Sequence, residues 1–448
     1  MKKTFLYLAI LSVFIAAVVF IFYKYKSGVA KEENTIYTLL ERKDTTRQTE
    51  EWRKTEAQAM RFLNAIRTNQ QDSTALLGLA TIFVQEARIT GNYAYYDMAA
   101  LKYTNDVLKM DSLNFPALTL KSLLYLSQHH FADGLVIAEK AKNVNPYNAY
   151  VYGLLVDGNV EMGNYDSAVA NAQRMVDIRP DIRSYSRISY LREIYGDYKG
   201  AIDAMALAVG AGVPGDEATE WSRIQLGHLF ENTGDVKSAE QQYTDALAER
   251  PGYAYALAGL ARIATLNKDY NKAVSYYTQA IAAVSDFSFK EGLADVYRLN
   301  NEKQKADALE NEVIKEMSEQ AQNGNNNENI GHYVDRELAY AFIKTNDYDK
   351  ALEHAMLEYN RRPANIDVNE ALAWAYYAKG DYANALPFIK TALKTGSKNP
   401  TLLCRAGLIF AKNGDTNSAK INLEAALKTN ANIPENLRAE SKGILQAL

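Results

Sequence analysis

The residues that most often perform chemistry are few in this sequence, and their spacing matches no catalytic or metal-binding arrangement. The motifs HExxH, CxxC, GxxxxGK[ST] and GxSxG do not occur. His129 and His130 are adjacent in a predicted turn, where neighbouring side chains diverge, so an exposed turn is favoured over a metal site. Cys404 has no histidine near it in the sequence, which favours a small, half-buried residue over a reactive thiol. We therefore expect no enzymatic activity, no metal and no cofactor.

Composition narrows the class of protein further. Of the 448 residues, 48% are apolar, which excludes a disordered chain, and the low content of proline and glycine excludes collagen. A single cysteine excludes an intramolecular disulfide and a thiolate zinc cluster. The net charge of −4 argues against a nucleic-acid binder, which normally carries a basic excess. Tyrosine is unusually abundant, with 31 residues against 14 phenylalanines, and calls for an explanation.

The first 72 residues divide into a basic tail, an apolar run and a polar segment. Residues 5–23, FLYLAILSVFIAAVVFIFY, carry no charge and would span about 28 Å as a helix, close to the hydrocarbon thickness of a bilayer. We favour an uncleaved transmembrane anchor because the run exceeds the core of a signal peptide; a cleaved signal sequence with secretion is the alternative. Residues 1–4 contain Lys2 and Lys3 and are expected to stay in the cytoplasm, which places the remainder on the extracytoplasmic side, periplasmic or at the cell surface. Residues 24–72 predict a polar helical stalk.

A period of about 34 residues dominates the remaining sequence. Its clearest units are 149–181, 220–253 and 366–399, each with two helical segments joined by a short turn. Ten units align on a small residue that opens the second helix: Ala100, Gly134, Ala168, Ala201, Ala239, Ala273, Ala306, Ala351, Ala385 and Ala419. A small side chain is needed where the two helices of one hairpin cross at close approach. The pattern predicts an all-α array of about ten helix pairs.

The turns within these units carry helix-capping residues. A glycine that can adopt the left-handed conformation ends the first helix in five units: Gly163, Gly196, Gly234, Gly380 and Gly414. Asn or Asp follows and can cap the second helix, and Lys268 and Asn346 occupy the glycine position in two other units. The recurring pattern Leu-Ala/Gly, Tyr/Phe, Gly-Asp-Tyr, Ala, Ala-Leu, Pro resembles the tetratricopeptide repeat over residues 73–433.

This resemblance implies antiparallel helix pairs stacked into a right-handed superhelical solenoid with a concave groove. Residues 371–389, ALAWAYYAKGDYANALPFI, also resemble uncharacterised bacterial multi-repeat envelope proteins of the same family. The complete expectation for the fold is thus an all-α solenoid of about ten tetratricopeptide-repeat helix pairs, preceded by an N-terminal transmembrane helix.

Departures from the period divide the array. Repeats 1–7 would occupy residues 73–320 and repeats 8–10 residues 332–433, with the Asn-rich stretch 321–331 as a flexible joint at which the array could pivot. Repeat 1 is about eight residues longer than the period, and residues 88–98 are expected to extend its turn. Residues 434–448 predict a capping helix that covers the last apolar face.

The resemblance implies that the groove is lined by set positions of the first helices. Those positions are Arg183, Arg187, Tyr190, Trp221, Gln225, His228, Tyr255, Arg262, Tyr333, Arg336, Tyr340 and Trp374. Tyr, Trp and Arg are enriched at binding hot spots, and Arg183 or Arg187 could pair with an acidic segment or a C-terminal carboxylate of a partner. Aromatic residues at helical spacing are equally typical of a core, so some of these side chains could pack between helices.

The sequence therefore favours a non-enzymatic, membrane-anchored scaffold that binds a protein or peptide partner in its groove, for assembly of an envelope complex. Two alternatives remain open at this stage. One is an accessory subunit of an envelope enzyme complex, and the other is a repeat array that binds glycans or small molecules. Nucleic acid is not an expected partner.

Overall fold

A computed structural model of the chain describes residues 14–20, 35–42, 47, 49–326, 332–429 and 431–448. Within these ranges the regular secondary structure is helical, without strands. Besides a short helical stretch at 14–20, the helices are α1 (Glu50–Thr68), α2 (Ser73–Thr90), α3 (Tyr93–Met110), α4 (Phe115–Ser127), α5 (Phe131–Val144), α6 (Ala149–Glu161), α7 (Tyr165–Ile178), α8 (Ile182–Ile194), α9 (Tyr198–Gly210), α10 (Glu217–Thr233), α11 (Val236–Glu249), α12 (Ala254–Leu266), α13 (Tyr270–Ala283), α14 (Phe287–Leu299), α15 (Lys303–Asn326), α16 (Asp335–Lys344), α17 (Tyr348–Arg361), α18 (Ile366–Ala378), α19 (Tyr382–Ala392), α20 (Pro400–Lys412), α21 (Thr416–Leu427) and α22 (Glu435–Ala447).

The expected membrane anchor, residues 5–23, lies largely outside the described residues. Its described part, residues 14–20, is helical and exposed. Among the described helices, none combines the length and the apolar character that a bilayer crossing requires.

Ten helix pairs, α2/α3 to α20/α21, follow one another along the chain, as the period predicts. Each small residue that opens a second helix is fully buried where the pair crosses. In two pairs a serine of the first helix donates a hydrogen bond to the carbonyl of that residue: Ser122 to Gly134 at 2.8 Å and Ser189 to Ala201 at 2.7 Å. A larger side chain would push the two helices apart and break these hydrogen bonds, so packing requires a small residue at this position.

The glycines at the turns adopt the conformation expected of a helix C-cap. Their φ angles are positive, for example +83° at Gly380 and +84° at Gly234. Lys268 and Asn346, which replace glycine in the same position, are also left-handed, with φ of 60° and 63°. The next residue is then an N-cap, as when the Asp235 carboxylate accepts from the backbone N–H of Ser238 at 3.1 Å.

A substitution at such a glycine separates backbone conformation from packing. Gly380 has φ +83° and open space around its β-position, whereas Gly210 at the end of α9 has equally open space and no positive φ. Gly380→Ala is expected to lower the free energy of unfolding by about 1 kcal/mol, because an L-residue is strained in the left-handed region. Gly210→Ala, the matched control, should be neutral or slightly stabilising. Equal effects of the two substitutions in thermal unfolding would contradict this account.

Residues 24–72, expected as a polar helical stalk, are instead in part a packed component of the array. Residues 35–42 have no regular secondary structure and lie against α3, and the α1 helix buries Trp52, Ala59 and Leu63. The physical reason is hydrogen bonding: tyrosine hydroxyls of α3 pair with backbone N–H groups of this segment, which would otherwise need helical partners. We call residues 35–42 the strap. Residues 24–34, 43–46 and 48 lie outside the described residues.

Two other boundaries differ from the expectation. Residues 88–98 lengthen α2 and α3 rather than their turn, because Gly91, with φ +73°, ends α2 and Asn92 is the only other residue between the helices. The first part of the proposed joint is helical, since α15 continues to Asn326. Adding a residue to an existing helix requires much less free energy than starting a new helix, so α15 extends into the Asn-rich stretch. Residues 327–331 of the joint lie outside the described residues. At the C-terminus, α22 packs against α20 and α21.

Successive turns of the array touch each other. Contacts join residues that are about 200 positions apart: Glu51 to Arg250, Thr90 to Ser285, His129 to Tyr333, Glu161 to Arg362, and Glu231 to Asn432. That separation equals about six repeats of 34 residues, so one superhelical turn takes about six repeats. We call this line of contacts the seam. It joins repeats 2 and 3 directly to repeats 8 and 9, which are therefore not connected through residues 321–331 alone.

Candidate functional site

The inner wall of the superhelix is built by the first helices of the repeats. First helices of neighbouring repeats pack against one another, as α6 does against α8 and α10 against α12, which places them at the smaller radius. Eleven of the twelve predicted groove residues lie on these helices, on α8, α10, α12, α16 and α18. Most are half-buried, whereas Arg183 and Tyr190 are exposed. The wall is therefore a confined surface with two open positions on α8.

Three of the four predicted groove arginines are already paired with carboxylates of the protein. Arg187 binds Asp157 through two nitrogens, at 2.8 and 2.5 Å, and donates to the carbonyl of Gly153. Because Asp157 neutralises Arg187, a carboxylate partner would have to displace an existing bidentate ion pair. Arg183 instead lies over the ring of Tyr150 at 5.2 Å. Of the two arginines expected to capture an acidic partner, only Arg183 is accessible.

These ion pairs form a ladder between adjacent first helices. Arg262 Nε lies 3.0 Å from Glu231, Arg336 lies 3.7 Å from Asp367, and Arg405 lies 2.7 Å from Glu370. In each pair, as in Arg187–Asp157, the partners are one repeat apart. Arg405 and the carboxylates of Asp157, Glu231 and Asp367 were absent from the positions predicted from the sequence. The available signal was an opposite charge roughly 30–35 residues away, which follows from the repeat length.

Four of the aromatic groove residues form two clusters. Trp221 and Tyr255 are in edge contact, with ring centroids 5.0 Å apart. Arg88 of α2 lies 6.0 Å from the indole ring of Trp221. In the second cluster, Arg405 lies 4.8 Å from the ring of Tyr340 and 5.2 Å from Trp374. Part of the predicted set is thus brought together, and each cluster also includes an arginine that the prediction missed.

The remaining predicted residues have less defined or different roles. His228 faces Tyr243, with ring centroids 6.0 Å apart, and burial holds its pKa well below the usual value, so the imidazole is neutral. Gln225 is half-buried on α10. Tyr333 is not a groove residue: α16 begins two residues later, at Asp335, and the Tyr333 ring stacks on His130 in the seam at 4.2 Å. The prediction for Tyr333 was wrong because the first helix of repeat 8 starts later than the period suggests.

Carboxylates outnumber cations at one place on the inner wall. A cavity of about 290 Å³ is lined by Arg336 and Tyr340 together with four carboxyl groups, those of Glu291, Glu337, Asp367 and Glu370. Burial raises the pKa of Glu291 and of Glu370, although Lys344 and Arg405 counteract it. Such a surface favours cationic groups over anionic ones.

Histidines that the sequence placed in an exposed turn belong to the seam. His129 is left-handed, with φ 63°, and its Nδ1 lies 2.8 Å from the carbonyl of Tyr333, so Nδ1–H is the donor. His332 Nε2 lies 3.2 Å from both ring nitrogens of His129, and the two rings are in edge contact with centroids 4.2 Å apart. Within the described part of the chain, no three His, Cys, Asp or Glu side chains are arranged as metal ligands. Cys404 is fully buried, and burial raises the pKa of its thiol.

The seam histidines predict a loss of stability in acid. Burial lowers the pKa of His129 to about 4 and that of His332 to about 3, while an unfolded histidine titrates near 6.5. Between pH 6.5 and 4 the unfolded chain therefore binds more protons at these sites, and stability should fall by about 1.4 kcal/mol per pH unit for each histidine. Burial raises the pKa of Asp97 to about 7. At this site the folded chain therefore binds about one proton more than the unfolded chain, which partly offsets the loss of stability from the histidines. Thermal unfolding from pH 7.5 to 4.5 should show a shallower slope in His332→Gln; an unchanged slope would contradict the assignment.

Comparison with known proteins gives one family and several solved structures. A tetratricopeptide-repeat model matches residues 224–286 and 336–400, and a second model of that repeat matches residues 400–433. No curated protein sequence matches the chain.

Similar solved structures include the APC/C hetero-tetramer Cut9–Hcn1, with 15% identity and a TM-score of 0.45 over 83% of this chain and 59% of that one. Yeast Tom70 has 12% identity and a TM-score of 0.39 over 90% of this chain and 95% of its own. TTC0263, a thermophilic tetratricopeptide-repeat protein of Thermus thermophilus, has 18% identity and a TM-score of 0.36 over 47% of this chain and 99% of its own. The chain thus spans less than two thirds of the Cut9–Hcn1 chain. Identities at this level carry no partner or activity across.

Proposed function

We propose that this chain, which is a tetratricopeptide-repeat protein, is a membrane-anchored scaffold without catalytic activity that binds an extended segment of a partner protein along its inner wall. The observation that carries the proposal is the confined inner wall, in which aromatic clusters alternate with ion pairs between first helices. Because adjacent superhelical turns touch along the seam, a partner cannot lie between them and would contact the inner wall itself, where an extended segment takes less space than a folded domain. The partner is expected to present basic rather than acidic side chains, since the groove arginines other than Arg183 are paired with carboxylates and the cavity of about 290 Å³ is lined by four carboxyl groups and one arginine.

The anchoring part of this proposal rests on residues 5–23. Their length and lack of charge suit a bilayer, and Lys2 and Lys3 favour a cytoplasmic N-terminus with the array on the extracytoplasmic side, where it would help to assemble an envelope complex. Carbonate-washed membranes should retain the full-length protein, and a protease added to the outside of sealed cells or spheroplasts should degrade the array. Release by carbonate, or a mature N-terminus beyond residue 23, would refute the anchor.

Site-specific crosslinking in native membranes tests the groove. A photo-crosslinking residue at Tyr190, which is 41% exposed on the inner wall, should capture a partner, whereas the same residue at Val136, 67% exposed on a second helix, should not. In a pull-down without crosslinking, the partner identified in this way should be retained about tenfold less by Tyr190→Ala combined with Trp221→Ala. Val136→Ala is the matched control and should leave capture unchanged. Equal capture from Tyr190 and Val136 would place the binding surface elsewhere.

A further inference from the structure

A large cavity crosses the seam and reaches the inner wall, where Tyr255 and Glu337 line it. Its volume is about 1320 Å³, and it is bounded by the α2–α3 turn, the end of α4, the α13–α14 connection, α15 and the start of α16. Repeats of two successive superhelical turns thus enclose it jointly. Apolar walls are supplied by Ile89, Val284 and Phe287, among others. A cavity of this size can enclose most of a small organic molecule.

The charges that line the cavity are strongly unbalanced. Six carboxyl groups and two permanent cations belong to the lining. Both cations are already neutralised: Arg42 donates to Glu86 at 2.8 Å, and Lys290 lies 2.7 Å from Glu312 and 2.8 Å from Glu316. Further carboxylates at the lining, such as Glu319 and Asp286, form no ion pair with a described residue and add negative charge to the cavity.

Two buried acceptors in the lining have no donor among the described residues. Gln128 is only 3% exposed, and its Oε1 accepts no hydrogen bond. Glu337 Oε1 accepts from Arg336, but its Oε2 is buried and also unpaired. Burial opposes ionisation of Glu337, yet the adjacent Arg336 outweighs it and lowers the pKa to about 2, so the carboxylate is charged. A buried charged oxygen without a donor is costly, and a ligand N–H would remove the cost.

We propose that this seam cavity binds an alkyl polyamine, with ammonium groups on Glu337 and Gln128 and the carbon chain on the apolar walls. An anionic ligand would meet the excess of carboxylates, and a neutral polyol would leave that charge uncompensated. A metal ion would need converging ligands, which the described residues do not provide. Because both superhelical turns line the cavity, a polyamine would also strengthen their contact. This inference goes beyond the binding of a partner in the groove and does not depend on it.

Calorimetric titration of the purified full-length protein with spermidine tests the proposal. Saturable binding is expected for spermidine and none for the uncharged 1,8-octanediol. Glu337→Gln should weaken spermidine binding at least tenfold, whereas Glu424→Gln, a carboxylate that is 56% exposed on α21, should leave it unchanged. Ala282→Trp should also weaken spermidine binding, because it adds bulk at an exposed lining position without removing a polar group. It serves as the second test if Glu337→Gln folds poorly.

Several outcomes would overturn the proposal. These are no saturable binding of spermidine at millimolar concentration, equal affinity in the wild type, Glu337→Gln and Ala282→Trp, or equal binding of the diol. Tetralysine serves as a further probe: binding of tetralysine without binding of spermidine would assign the cavity to a basic protein segment rather than a free amine. Tyr190→Ala should not affect the titration, because Tyr190 does not line the cavity, so this test and the crosslinking test fail independently.

Discussion

Gly163→Ala is expected to lower the free energy of unfolding by about 3–5 kcal/mol, several times the effect of Gly414→Ala. Both glycines end a first helix with φ of +78°, so both substitutions incur the same strain of about 1 kcal/mol. They differ in their surroundings. A β-carbon at Gly163 would overlap the backbone carbonyl of Ala364 across the seam, while the space around Gly414 is open. Backbone atoms cannot turn aside as a flexible side chain does, so the seam must open at this point.

The additional loss comes from hydrogen bonds that depend on close approach at this part of the seam. Asn365 Nδ2 donates to the carbonyl of Glu161 at 3.0 Å, and the backbone N–H of Ile366 donates to the hydroxyl of Tyr165 at 2.9 Å. Arg362 binds Glu161 in the same region. Each such interaction contributes about 1 kcal/mol or somewhat more.

Denaturant unfolding of Gly163→Ala and Gly414→Ala provides the measurement. Contacts between successive turns link repeats that are distant in sequence, and an array with neighbour contacts alone lacks this coupling. Gly163→Ala should therefore also reduce the dependence of the unfolding free energy on denaturant concentration, as the array begins to unfold in parts. If the two variants were equally stable and equally cooperative, the seam would contribute nothing to stability.

The helix pairs could be predicted from the sequence because their causes are local. A small residue at each crossing and a left-handed residue at each turn recur with the period of about 34 residues, an Asp cap follows in six of the ten units, and each feature acts within one hairpin. The seam could not be predicted in this way. It depends on the number of repeats per superhelical turn, which results from a small rotation between neighbours accumulated over six units. Consequently His129 and Tyr333, which looked like turn and groove residues, are seam residues.

The sequence predicted which helices carry the groove arginines but not which side chains pair with them. The resemblance identified Arg187, Arg262 and Arg336 as inner-wall residues, and all three lie there. Their pairing could not be read from a single repeat, since the partner carboxylate belongs to the neighbouring one. The tyrosine excess has a similar explanation. Tyr243 fills the space left by Gly227 and Gly259, and the tyrosines of α3 bind the strap, so much of the excess is structural.

The strap combines general and specific contacts. The hydroxyls of Tyr95, Tyr96 and Tyr103 each bond to the backbone of one strap residue, with distances of 2.8–3.3 Å. Backbone contacts of this kind are available to any sequence. The side chain of Arg42 supplies the specific contact: it is 4% exposed, donates to Glu86 and Glu51 at 2.8 Å, and lies 5.3 Å from the ring of Trp52.

Arg42→Met is expected to destabilise the protein by about 3–5 kcal/mol and to release the strap, since the carboxylate of Glu86 is fully buried and would lose its cation. The double variant Arg42→Met/Glu86→Leu should recover most of this loss, because it removes both charges. Arg47→Met is the matched control; Arg47 pairs with Glu41 at the surface, where both side chains are more than half exposed, and its loss should cost less than about 1 kcal/mol.

Thermal unfolding and limited proteolysis within residues 35–42 distinguish two roles for Arg42. If the backbone bonds to tyrosine alone hold the strap, proteolysis will be unchanged in Arg42→Met and the double variant will be no more stable than the single one. If Arg42 fixes the register, cleavage will increase in Arg42→Met and return toward the wild-type rate only where Glu86 is also replaced by an apolar residue. Glu51 connects the strap to the seam, because it binds both Arg42 and Arg250 of repeat 5. Release of the strap should therefore loosen the contact between the first superhelical turn and α1, and with it the link between the array and the apolar run of residues 5–23.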